Sequence, residues 1–196
     1  TRVANATLLN NIAPLWVALF AWLWWREKMR PIFWAGLGLT LAGAVLVFGN
    51  SLAINAELFG GDGLAFLSSL FYAAYFLVTQ QARRHMATLP YIWLAVASAA
   101  LVLLGVAMVM GLPLTGYPLT TYLAFLGAGL VSQVTGYFSV GYALGHLPAS
   151  IVSATMIAQP VLTMLLAIPL AGEALYPIQL LGAAAVLGGI VLVNRR

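Results

Sequence analysis

The chain has no cysteine among its 196 residues, which excludes disulfides, thiol nucleophiles and cysteine metal sites. Charge is nearly as scarce. Only 6% of residues are charged against 63% hydrophobic, and no water-facing surface can be built from that mixture. No Asp or Glu falls inside a long apolar run, and the single lysine, Lys28, stands between two of them. His85 and His146 sit at loop junctions without a partner at metal-ligand spacing, so no metal and no cofactor is expected. What remains is an integral membrane protein. The net charge of +4 does not imply nucleic acid, because the basic residues lie in short loops between spans, where they set orientation.

Apolar runs long enough to cross a bilayer, roughly 17–25 residues, occur at about 4–25, 31–49, 63–82, 90–111, 119–142, 149–171 and 176–194. They predict an all-α integral membrane protein, a polytopic helical bundle with seven spans. The separators carry loop chemistry: Arg26-Glu27-Lys28-Met29-Arg30-Pro31, then Asn55 to Asp62, Arg83-Arg84-His85, Gly111 to Pro118, Gly145 to Pro148 and Glu173 to Pro177. With Arg195 and Arg196 in the cytoplasm, alternation puts seven of the eight basic residues on that side and Glu57, Asp62 and Glu173 on the other. The expected location is the cytoplasmic (inner) membrane, with the C-terminus cytoplasmic.

Two stretches 146 positions apart match without a gap. Pro14 falls on Pro160, Leu19 on Leu165, Ala21 on Ala167, Glu27 on Glu173, Pro31 on Pro177, Gly36 on Gly182 and Gly43 on Gly189. A repeated apolar hairpin is a signature of the internal duplication found in secondary transporters. The alternation above puts the hairpin loops at 26–30 and 172–176 on opposite faces, which makes the repeat inverted and requires an odd number of spans in each half. Residues 63–196 supply five spans, 1–50 supply two, and 51–62 read as an extracytoplasmic linker. The chain begins at Thr1 rather than methionine, and three further N-terminal spans are expected, so that the seven present belong to ten arranged as two inverted five-helix repeats. Without them the chain is not expected to transport.

The residues Ala13-Pro14-Leu15-Trp16-Val17-Ala18-Leu19, Arg26-Glu27 and Gly36 to Gly43 recur as Gln159-Pro160-Val161-Leu162, Gly172-Glu173 and Gly182 to Gly189. This pattern resembles the EamA-like members of the drug/metabolite transporter superfamily. Gly61-Asp62-Gly63-Leu64-Ala65 through Tyr75 is similar to the opening of that family's second half, and Tyr142-Ala143-Leu144 into Pro148-Ala149-Ser150 to its eighth-to-ninth helix turn. The resemblance covers the whole chain and implies ten helices in two inverted five-helix halves. It leaves the substrate open among amino acids and metabolites.

Polar side chains within spans are costly in hydrocarbon and so face a bundle interior or a water-filled cavity. Thr7, Asn10, Asn11 and Pro14 share one face of the first span, and Ser68, Tyr72, Tyr75 and Thr79 one face of the third. Gln133 and Tyr137 stack beside Gly129, and Thr155, Gln159 and Thr163 beside Pro160. The expected substrate site therefore has Gln133 and Gln159 as hydrogen-bonding contacts, Tyr72, Tyr75 and Tyr137 as walls, and Asn10 and Asn11 opposite. The alternative is that these groups only join helices, at about 0.6 kcal/mol per hydrogen bond. That alternative suits hydroxyls better than the amides, each of which has four hydrogen-bonding sites to satisfy. Tyr91, Tyr117, Tyr122 and Tyr176, near span ends, read as interfacial belt. Pro14 and Pro160 free the carbonyls of Asn10 and Met156, either as kinks or as substrate contacts. Glu27 and Glu173 are expected to be solvated or paired in their loops, and the rows Gly36/Thr40/Gly43 and Gly182/Ala185/Gly189 to be packing seams.

These features point to a permease that moves small metabolites or amino acids by alternating access, with no enzymatic activity. Its partners are a small-molecule substrate and the lipid bilayer, and a homodimer stays open. A seven-helix receptor or other non-transport membrane protein is the alternative, although a retinal protein would need a lysine in its last span and Lys28 is in a loop. An embedded hydrolase would need histidine or carboxylate at depth. In the complete protein, single cysteines at Arg84 and Leu58 should label from opposite sides of intact cells, and labelling of both from outside would remove the inverted repeat.

Overall fold

The computed structural model describes residues 3–48, 59–171 and 176–195. These residues contain no strand and form ten α-helices: α1 (Val3–Asn10), α2 (Ala13–Trp25), α3 (Pro31–Phe48), α4 (Phe59–Arg83), α5 (Thr88–Val109), α6 (Leu119–Ala128), α7 (Phe138–Leu144), α8 (Ala149–Thr155), α9 (Gln159–Ala171) and α10 (Pro177–Val193). A π-helical segment, Gly129–Tyr137, joins α6 to α7, and a 3₁₀ turn, Met156–Ala158, joins α8 to α9. The greater part of the expected linker, with Glu57, and the second hairpin loop around Glu173 lie outside the described residues.

Among the described residues six helical stretches are long and apolar enough to cross a membrane: Ala4–Trp25, Pro31–Phe48, Phe59–Arg83, Thr88–Val109, Leu119–Leu144 and Ala149–Leu166. The seventh expected span is the shorter apolar helix α10, of 17 residues. Boundaries shift where sequence chemistry permits. α4 starts four residues before the expected Gly63, so Asp62 stands in its first turn, where the helix dipole favours a carboxylate. Pro90 is the third residue of α5 rather than its first, a position where the missing N–H breaks no intrahelical bond. Between Gly129 and Tyr137 the regular α-helix expected from the stacking of Gln133 and Tyr137 is replaced by π-helix, and the Thr135 hydroxyl donates to the Leu130 carbonyl five residues back at 3.0 Å. Most of the large exposed side chains on the spans are apolar, with Val109 89% exposed, as lipid-facing helices require.

The chain divides into two compact units, Thr1–Val78 with Pro148–Arg196 and Thr79–Leu147. The core of the first is built from Phe33, Leu37, Ala44 and Val47 of α3, Ile157 of the 3₁₀ turn, Val161 and Met164 of α9, and Ala183 and Val186 of α10. In the second, α5 and α7 pack together and the Arg83 guanidinium at the end of α4 acts as a clamp. Its Nε donates to the Gly141 carbonyl at 2.9 Å and its Nη1 to the Met86 carbonyl. A cation placed on the last carbonyls of α7 satisfies groups that the helix leaves open.

α3 and α10 pack antiparallel and backbone to backbone. A Cβ on Gly36 would stand 2.8 Å from the Gly189 carbonyl oxygen, and a Cβ on Gly43 2.7 Å from that of Gly182. Gly36 and Gly182 are equivalent in the repeat, as are Gly43 and Gly189, so the first glycine of each copy meets the second glycine of the other. Such reciprocal contact is what a two-fold axis between two helices produces. Thr40 keeps its hydroxyl within its own helix by donating to the Gly36 carbonyl at 2.7 Å, so the seam needs no polar partner from α10. Gly43→Ala and Gly189→Ala should each lower stability by about 1–3 kcal/mol through overpacking, read as a fall in the thermal unfolding midpoint in detergent. Gly38→Ala, whose Cβ would meet nothing within 4 Å, should be neutral or stabilising. Equal effects at the three positions would remove the seam.

Candidate functional site

The first span is two helices with a break between them. Pro14, the second residue of α2, lacks the N–H that the Asn10 carbonyl would accept, and its ring crowds the turn before it. The backbone responds by tightening. The Ile12 N–H donates to the Leu9 carbonyl at 3.2 Å and the Leu15 N–H to the Ile12 carbonyl at 2.9 Å, both three residues back. In the second copy Pro160 is likewise the second residue of α9, and the chain before it forms the 3₁₀ turn. Here the sequence expectation is corrected, since the Met156 carbonyl is not freed but accepts the Gln159 N–H.

Both breaks border one cavity of about 550 Å³ in the first unit, whose polar lining is Thr7, Asn10, Asn11, Ser68, Gln159 and Thr163. Ala6 and Ala65 leave the space open, and Phe48 and Pro160 supply apolar wall. α4 is held here by Trp16, which donates its indole N–H to the Ser69 hydroxyl at 3.1 Å and stands edge-on to Phe66 with ring centroids 5.7 Å apart. Ser68, next along α4, then reaches Asn10, its hydroxyl donating to Oδ1 at 3.5 Å. The Asn11 amide nitrogen is buried and has no acceptor among the described residues. An unsatisfied buried donor costs about 1–3 kcal/mol. Among the described residues the lining carries no charged side chain.

Of the residues expected in the site, Asn10, Asn11 and Gln159 therefore meet in one cavity. Tyr72 and Tyr75 do not line it; their rings stack at 6.2 Å on α4 and both pack against Phe76. Gln133 and Tyr137 belong to the second unit. There Gln133 lines a cavity of about 320 Å³ with Leu89, Ile92, Trp93, Val134 and Phe138, and Tyr137 is exposed.

Two further expectations are corrected. Tyr91 is not an interfacial belt residue: it is buried, and its hydroxyl shares a 2.7 Å hydrogen bond with Thr79, a fully buried member of the expected polar stripe of α4. Thr79 is thus a helix-joining residue. Glu27 is not simply solvated, because the Ser150 hydroxyl at the start of α8 donates to its carboxylate at 2.9 Å. It is presented there by Arg26, whose left-handed backbone (φ 52°) closes α2. The hydroxyl two residues past Pro148 was the only sequence signal for this contact, and nothing in local spacing connects it with Glu27.

A family model, that of the EamA-like transporter family, matches residues 1–49 and 59–195. The chain is 29% identical over 203 residues to the "Probable terminal-alkyne amino-acid exporter" of Streptantibioticus cattleyicolor, an alignment covering 98% of this chain and 64% of that protein. It is 26% identical over 200 residues to the uncharacterised transporter YwfM of Bacillus subtilis, covering 99% and 65% respectively. The chain thus spans a little under two thirds of the length of these curated relatives. A crystal structure of a protein 21% identical superposes with a TM-score of 0.85 over 99% of this chain and 69% of the other, which shows a shared fold.

The Thr79–Tyr91 bond provides a measurement that separates joining residues from site residues. Tyr91→Phe should lower stability by about 1–3 kcal/mol, because it leaves the buried Thr79 hydroxyl without its partner, and should leave transport by folded protein unchanged. A variant as stable as the parent would return Tyr91 to the interface.

Proposed function

Because the chain belongs to the EamA-like transporter family, we propose that it acts in a permease for small metabolites or amino acids, with the cavity between the two broken helices as its substrate site. The observation that carries this reading is the convergence of both breaks, at Asn11–Ile12 and Met156–Ala158, on one cavity lined by amides and hydroxyls. Irregular backbone at membrane depth is tolerated where it borders a cavity, and broken helices hold substrate in many transporters. Each break lies about 12 Å along its span, near the middle of a hydrocarbon core of about 30 Å.

The uncharged lining favours a neutral or zwitterionic solute whose acceptors take the Asn11 and Gln159 amide N–H groups. The naming of one relative as an amino-acid exporter agrees with this class. Alternating access is supported by the reciprocal packing of α3 on α10, which is the contact that an inverted repeat would place at its centre. The basic residues put the C-terminus in the cytoplasm of the cytoplasmic membrane in this reading. A receptor is the weaker reading, since the matching family is one of transporters.

Gln159→Leu in the complete protein should abolish transport while folded yield stays near normal, because the apolar side chain removes recognition without burying a new polar group. Uptake or efflux of a panel of radiolabelled amino acids and neutral metabolites, set beside the yield in the membrane fraction, provides the check. Normal transport with poor yield would make Gln159 a joining residue and move the site elsewhere. The same substitution at Gln133 tests that residue independently.

A further inference from the structure

At the end of the first unit where α3 begins and α10 finishes there is a second cavity, of about 400 Å³, lined by Arg30, Pro31, Ile32 and Arg195. Arg30 is the last residue before α3 and Arg195 the second after α10, so the antiparallel seam delivers both guanidinium groups to one mouth. Neither has a carboxylate partner among the described residues, and Glu27, the carboxylate of the same loop, is occupied by Ser150. The dipoles of the two helix ends oppose one another here, positive for α3 and negative for α10. The net positive potential therefore comes from the arginines themselves.

The depth of this cavity is marked independently. Trp22 and Trp24, near the end of α2, and Trp34, in the first turns of α3, are all exposed, and exposed tryptophans gather at the level of lipid headgroups. α10 exposes Leu187 and Val191, apolar surface suited to acyl chains.

We propose that this cavity binds the phosphate of an anionic phospholipid headgroup. The planar guanidinium fork takes phosphate oxygens in pairs, and two forks suit a phosphodiester held between them. Basic pockets between transmembrane helices are recurrent headgroup sites. A phospholipid is the source rather than free phosphate, because exposed tryptophans lie close in sequence to Arg30 and α10 exposes apolar side chains suited to acyl chains. The bound headgroup would bridge the start of α3 and the end of α10, the two equivalent helices of the repeat.

Native mass spectrometry of the complete protein in neutral detergent, titrated with phosphatidylglycerol or phosphatidylcholine, tests the proposal. Phosphatidylglycerol should bind the parent more tightly. Arg30→Gln and Arg195→Gln should each weaken it roughly ten- to hundredfold, as loss of a charge-assisted hydrogen bond implies. Lys28→Gln removes the same charge from the same loop without touching the cavity and should weaken binding about fivefold at most. Should the glutamine variants fail to fold, Arg30→Lys and Arg195→Lys keep the charge, remove the fork, and should still lose more than Lys28→Gln. Equal losses at the three positions, no preference for phosphatidylglycerol, or full displacement of the lipid by millimolar inorganic phosphate would overturn it.

Discussion

The absence of side chains at Gly36, Gly43, Gly182 and Gly189 is the constraint on which the first unit depends. Helices in a bilayer gain nothing from hiding apolar surface from one another, because lipid tails are equally apolar. They associate through close van der Waals contact, and glycine allows the closest approach. Here each of these four glycines lies against backbone of the other helix, within 3 Å of where a Cβ would stand. The position of α10 on α3 is therefore fixed by backbone shape.

The breaks are the second half of that arrangement. In hydrocarbon an interrupted helix leaves backbone groups that cost several kcal/mol each when unsatisfied. The chain limits this in two ways. Tightened turns reuse nearby carbonyls, as Leu9, Ile12 and Met156 show, and both breaks open on polar space rather than lipid. Cavity and break thus require one another: the cavity makes the break tolerable, and the prolines that cause the break keep amide side chains at its edge.

Much of this was readable from sequence because it depends on local spacing. Pro14 over Pro160 announced matched interruptions, the glycine rows announced the seam, and helical spacing put Asn10, Asn11 and Gln159 on interior faces. Periodicity gives a face and not the neighbour on that face. Thr79 satisfied the same spacing rule as Ser68, yet one is sealed against Tyr91 and the other borders the cavity. The contacts of Glu27 with Ser150, 123 positions apart, and of Arg83 with Gly141, 58 apart, depend on packing that no window of sequence contains. The π segment escaped as well, since a shift from four-residue to five-residue hydrogen bonding keeps the same apolar composition.

The duplication extends to the frame but not to the lining. The repeat equivalents of Asn10 and Asn11 are Met156 and Ile157, and those of Gln159 and Thr163 are Ala13 and Val17. Ile157, Ala13 and Val17 are buried among apolar neighbours, at 1%, 0% and 0% exposure. Four of the polar positions on the cavity wall thus correspond to apolar ones in the other copy, three of them core residues, while Thr7 corresponds to the buried Ser153. A symmetric cavity would offer the same groups twice and suit a solute with matching ends. This one offers a threonine, an asparagine pair and a serine from α1, the turn after it and α4, and a glutamine and a threonine from α9. The helices can thus be related as equals while the polar lining of the cavity differs between the two copies.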